Sequence, residues 1–152
     1  MRIELWLVVA LFTTACGKSA EEQGEASANE FIAKSARSDL VELKQAIASP
    51  DPGKGKYSCS PMANIDKIEK VDKALAAEFR QLCTKDLYLA MIKVEVEKAE
   101  AARKAKPDEP VLSECFVANY EFAKNEMTEA KTVDLAKDLI ARFETACPPD
   151  KK

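Results

Sequence analysis

SPMANIDKIEKVDKALAAEFRQLCTKDLYLAMIKVEVEKAEAARKAK, residues 60–106, is the stretch whose reading decides the fold. Ile65, Ile68, Leu75, Phe79 and Leu82, with Val71 or Asp72 between them, recur at helical spacing. Ser60 before Pro61 predicts a helix start. The Ser hydroxyl can cap a free amide, and Pro at the first helical position has no N–H to leave unpaired. Leu87 to Ile92 is apolar almost all round, which predicts a helix at the centre of a bundle. Ile92-Lys-Val-Glu-Val96 alternates like a strand. Helix is still expected there, because Glu97 to Lys106 is rich in Ala, Lys and Glu and has no breaker. Thr84-Lys-Asp86 can cap a second helix, so residues 61–105 read either as one helix or as two.

Outward from this stretch the pattern stays helical. Ile32, Ala36, Leu40, Leu43 and Ile47 mark a first helix over residues 27–48, and Ser49-Pro-Asp-Pro-Gly-Lys-Gly55 ends it in a loop. Lys106-Pro-Asp-Glu-Pro110 is the next stop. Val111 to Met127 and Thr132 to Ala146 form the last two helical stretches, with stripes Phe116, Tyr120, Ala123, Met127 and Leu135, Leu139, Phe143. Only 4 glycines occur, and Ala, Glu, Lys and Leu abound, which favours helix over sheet. At 47% hydrophobic and 32% charged residues the chain can build a core. The expected fold is an all-α, antiparallel bundle of four or five helices over residues 30–149, with a tail at 150–152.

Four cysteines fall within that domain: Cys59, Cys83, Cys115 and Cys147. An even count in a small exported chain reads as two disulfides. Three pairings exist. An internal echo favours Cys59–Cys83 with Cys115–Cys147. Ala77-Glu-Phe79-Arg-Gln-Leu-Cys83 resembles Ala141-Arg-Phe143-Glu-Thr-Ala-Cys147, and Val71-Asp72 and Val133-Asp134 stand upstream. A straight helix would hold Cys59 and Cys83 about 35 Å apart, whereas a disulfide needs Cα atoms within about 7 Å. That pairing therefore requires a bend. A turn near Thr128–Thr132 would bring Cys115 to Cys147, while an unbroken helix over 61–105 would make Cys59–Cys147 the natural staple.

The N-terminus reads as an address. Arg2 gives a charged start, Leu5 to Phe12 an apolar run, and Thr13, Thr14 and Ala15 are small residues before Cys16. The run is too short for a membrane span. This segment resembles a bacterial lipoprotein signal, with Thr13 and Glu4 departing from the usual pattern. The resemblance implies cleavage after residue 15, a lipid on Cys16 and a membrane-bound envelope protein. Gly17 in place of Asp implies the outer membrane. Residues 16–29 then read as the lipidated Cys and a flexible tether. Gly17-Lys18-Ser19 is not a phosphate loop, because Phe12 stands where that motif needs Gly.

Chemistry is sparse. The chain has 0 His, which excludes Ser-His and Cys-His nucleophile pairs and the commonest metal ligand. The cysteine spacing has no zinc pattern, and no cofactor motif occurs. A net charge of −3, with no basic patch, argues against nucleic acid. Glu95 and Glu97 beside Lys93 and Lys98 read as solvated ion pairs rather than an acid–base centre. Ser113-Glu114-Cys115 reads as a helix start. The expected function is non-enzymatic: a protein-binding or assembly factor for an envelope partner, with Tyr88, Ile92, Tyr120 and Phe122 as the candidate partner surface. Two alternatives are a carrier of a small apolar ligand between helices and a hydrolase acting through carboxylates.

Overall fold

A computed structural model describes residues 20–110 and 112–148. They form the expected all-α bundle. Helix α1 (Ala20–Ile47) opens it. Residues 20–29, expected in the tether, are already helical: Asn29 is buried, and Glu25 pairs with Lys70 at 3.0 Å. Their Ala and Glu content makes helix cheap, so the boundary moves toward the N-terminus.

The expected loop after α1 is instead a 3₁₀ helix, Pro52–Asn64, which runs through Ser60-Pro61. The Ser60 helix start is thereby corrected, since α-helical geometry begins only at Ile65. A 3₁₀ helix has three residues per turn, so every third residue shares a face. Here that face is Pro52, Gly55, Ser58 and Pro61, all buried. Small residues let the segment lie close against α1. A Cβ on Gly55 would come within 2.9 Å of Leu87 Cδ1 and 3.2 Å of both Ala46 Cβ and Leu43 Cδ1.

Helix α2 (Ile65–Val71) ends at Asp72, whose extended backbone (φ −146°, ψ 92°) turns the chain. The Asp72 carboxylate accepts from the Leu75 amide at 3.0 Å and so caps α3 (Lys73–Gln81). A π-helical turn, Leu82–Asp86, passes α3 into α4 (Leu87–Ala105) without a stop. The break in residues 61–105 thus falls at Asp72 and not at Thr84. It supplies the bend the first disulfide needs: Cys59 and Cys83 are bonded, with Cα atoms 5.8 Å apart.

After a short 3₁₀ turn, Ser113–Cys115, come α5 (Ala118–Glu129) and, through a second short 3₁₀ turn at Val133–Ala136, α6 (Lys137–Ala146). The link between them turns on Lys131, whose φ is 57°. The Thr132 amide donates to Met127 O (2.8 Å) and the Lys131 amide to Thr128 O (3.1 Å), which closes the end of α5. Cys115 and Cys147 meet with Cα atoms 5.5 Å apart. The sequence echo has a structural counterpart. Each disulfide ties a 3₁₀ segment to a helical one, at the π-turn of the α3–α4 rod for Cys83 and just past α6 for Cys147, and Phe79 and Phe143, each four residues before the second Cys, are both buried.

The core runs along α4, where Leu87, Met91, Ile92 and Val96 meet Leu43, Ile68, Phe79 and Met127. α3 with α4 forms one rod, so the described residues comprise five helical units: α1, α2, the rod, α5 and α6. Two stripe residues depart from expectation. Phe116 is 74% exposed and Leu135 55%. Both precede the regular turns of their helices, so they do not share the helical phase; Ala136 occupies the inward position beside Leu135. Val71, at the last residue of α2, is exposed as well. Arg142 grips Glu100 with two hydrogen bonds (2.8 and 2.7 Å), joining α6 to α4.

Candidate functional site

Two features of the surface hold aromatic and charged groups together. The first lies where α5 passes the long 3₁₀ helix. Lys56 Nζ donates to Asn119 Oδ1 (3.4 Å) and stands 4.4 Å above the Phe122 ring. Phe122 meets Tyr88 edge to face, ring centroids 6.0 Å apart. The Tyr88 hydroxyl donates to Glu126 Oε2 at 3.3 Å. Burial, reinforced by the Glu126 carboxylate, pushes the Tyr88 phenol up to about 12. Phe122 stays 37% exposed, and Tyr57, next to Lys56 along the chain, is 85% exposed.

Of the four residues expected to form a partner surface, Tyr88 and Phe122 therefore come together. Ile92 and Tyr120 do not join them; both are buried in the core. The central helix is enclosed by its neighbours, so an apolar Ile on it packs inward. Tyr120 stacks on Phe143, centroids 3.8 Å apart with the planes 16° apart. Lys56 and Asn119 were missed, and they lie 63 positions apart, so no local pattern could have joined them.

The second feature is a cleft of about 490 Å³ beside the Cys115–Cys147 disulfide. Leu112, Phe116, Tyr120 and Phe143 line its apolar part, and Arg103, Lys124, Glu121 and Glu144 its polar part. Arg103 is held from behind. Its Nε donates to Ala146 O (2.9 Å), and a second guanidinium N–H donates to Glu109 O. Tyr120 is only 2% exposed, and its buried hydroxyl has no hydrogen-bond partner among the described residues. Burial pushes this phenol up to about 12 as well, with the Glu144 and Glu121 carboxylates adding to the effect.

No family model, curated protein or solved structure matches this chain.

Glu95 and Glu97, the two carboxylates weighed as an acid–base centre, each have a lysine partner. Glu97 pairs with Lys93 at 3.9 Å on the surface, as expected. Glu95 differs: it is buried on α4 and bound to Lys98 at 3.0 Å, so it is not the solvated residue its neighbours suggested. Among the described residues no group of three or more His, Cys, Asp or Glu side chains could hold a metal ion. Ser113 donates to the adjacent Glu114 carboxylate at 2.9 Å on the exposed 3₁₀ turn. Cys59, Cys83, Cys115 and Cys147 are all in disulfides. Cys16 lies outside the described residues.

Proposed function

We propose that the chain is a bacterial envelope lipoprotein, anchored through a lipid on Cys16 after removal of residues 1–15, whose helical domain binds another envelope protein without catalysing a reaction. The observation that carries this reading is the pair of closed disulfides in a domain of this size. Such cross-links persist in oxidising compartments outside the cytoplasm. The N-terminal pattern of Arg2, an apolar run and small residues before Cys16 supports the same address. Binding is favoured over catalysis by the Lys56–Phe122–Tyr88 cluster, where a cation and aromatic rings stand together at the surface. Aromatic residues next to a fixed charge are the kind of group that anchors protein interfaces.

Intact mass of the protein taken from its native membrane tests the anchor. A diacyl or triacyl mass on a chain beginning at Cys16 is expected, with four more thiols appearing only after reduction. An unlipidated chain would remove the anchor from the proposal. A photo-crosslinking amino acid at Tyr57 or Phe122 tests the binding face. It is expected to trap a discrete envelope protein, whereas the same label at Val41 on exposed α1 is not. Equal yields at both places would remove the case for this face.

A further inference from the structure

We infer that the cleft beside the Cys115–Cys147 disulfide is a binding site for an apolar group ending in a single carboxylate. This site is separate from the Lys56–Phe122–Tyr88 face and does not rest on the reading of that face. Four observations lead to it. The Tyr120 hydroxyl is buried and makes no hydrogen bond among the described residues. A group left in that state costs stability, and native proteins seldom keep one without a use. Tyr120 is one of the residues lining a cleft of about 490 Å³, within the ordinary range of small-ligand sites. Two cations stand in its wall, Arg103 and Lys124, and neither has a carboxylate within ion-pair distance among the described residues. Both are half-buried, whereas the cleft's two carboxylates, Glu121 and Glu144, are exposed at its rim.

These positions fix the ligand's chemistry. Arg103 is held by two neutral carbonyl oxygens, so its charge is oriented but not cancelled. Lys124 Nζ lies 5.8 Å from the Tyr120 ring centre. The Tyr120 phenol keeps its proton through the physiological range, so it is a donor. Two cations and a donor are complementary to a carboxylate. Phe116, most of whose surface is exposed, and buried Leu112 offer an apolar wall for the rest of the molecule. Glu121 and Glu144 at the rim disfavour a second negative charge, which selects a monoanion over a phosphate. The same chemistry is offered by a small free acid and by the C-terminus of a polypeptide ending in an apolar residue.

The test uses the full chain in lipid nanodiscs, with 13C in the tyrosine rings. Three tyrosines give three signals, of which Tyr57 and Tyr88 serve as controls. Titration with 3-phenylpropionate is expected to move the Tyr120 signal saturably and leave the other two in place. The neutral 3-phenylpropanol should bind at least about tenfold more weakly, since it lacks the charge-assisted bonds. Lys124→Gln, at a side chain with no partner beyond the Tyr120 ring among the described residues, should weaken the acid by a similar factor while Tm stays constant. Tyr120→Phe should raise Tm of the unliganded protein yet lower its affinity for the acid by calorimetry. A Tyr120 signal unmoved at millimolar acid, or an alcohol that binds as well as the acid, overturns the proposal. Acetyl-Ala-Ala-Phe with a free carboxylate distinguishes the sources. Tighter binding than 3-phenylpropionate points to a polypeptide terminus, and weaker binding to a small acid.

Discussion

Gly55 has no freedom to become Ala, although its backbone is ordinary. The missing Cβ is what lets the 3₁₀ helix lie against Leu43, Ala46 and Leu87. Gly55→Ala is expected to cost about 1–3 kcal/mol by overpacking, read as a lower midpoint in urea unfolding. Lys131 presents the opposite case. It adopts a left-handed conformation (φ 57°) that a glycine would take without strain. Lys131→Gly should therefore stabilise the protein by roughly 1 kcal/mol, and a fall in Tm would contradict this account of the turn. Half-buried Tyr88 and buried Tyr120 make a prediction about pH. Their folded pKa values, about 12, lie above the ordinary value of 10.0. Their contribution is fully present below pH 10 and is lost as pH rises toward 12. Alkaline titration followed by circular dichroism should show unfolding in that window, and the Tyr88→Phe/Tyr120→Phe double variant should shift it upward.

Among the elements, the helices at 3.6-residue period were the most legible. The spacing of Ala36, Leu40 and Leu43 marks one stripe, that of Ile68, Leu75 and Phe79 another, and all six residues are buried. Asp72 was harder to read. It sits where Val71 or Asp72 would continue the stripe, and only its cap bond to Leu75 shows that it divides two helices. The backbone bond from Leu75 and the pair with Arg37 (2.9 Å) hold the Asp72 carboxyl below its ordinary value of 3.8. Its contribution is present above that value and is lost as pH falls through the lower, folded one. Asp72→Ala should lower Tm by a few degrees at neutral pH and by little in strong acid, which thermal melts across that range would show. The long 3₁₀ helix is hidden in the sequence because Pro and Gly usually signal a loop. Its signature was nevertheless present, since Pro52, Gly55, Ser58 and Pro61 fall at intervals of three. The aromatic face and the cleft are assembled from segments distant in sequence, which no local period records. Aromatic residues on the helices mark Tyr88 and Phe122, but the same mark falls on Tyr120, which packs in the core, so residue type alone does not separate face from interior.

At the scale of the molecule, two staples act on different halves. Cys59–Cys83 closes a separation of 24 residues and Cys115–Cys147 one of 32. By loop-closure entropy each stabilises the fold by roughly 3–4 kcal/mol. Replacing Cys115 and Cys147 together by Ser should lower stability by about that amount and loosen the cleft they border. Hydrogen exchange should show the loss concentrated in α6 and the 113–115 turn.

The thirteen residues of Pro52–Asn64 also carry a competition between two pitches. At about 2.0 Å per residue a 3₁₀ segment is longer than an α-helix of the same residues, which rises about 1.5 Å each. Relaxing to the α form would shorten this one by about 6 Å. It would also rotate Pro61 about 180° away from Pro52, because each step of three residues lags by about 60° at 3.6 residues per turn. The bond from Cys59 to Cys83 pins the segment part-way along, before its end at Asn64, and so opposes that contraction. The first disulfide is thus a length gauge as much as a staple. It holds a short-pitch ratchet at full extension, with its small teeth seated along α1.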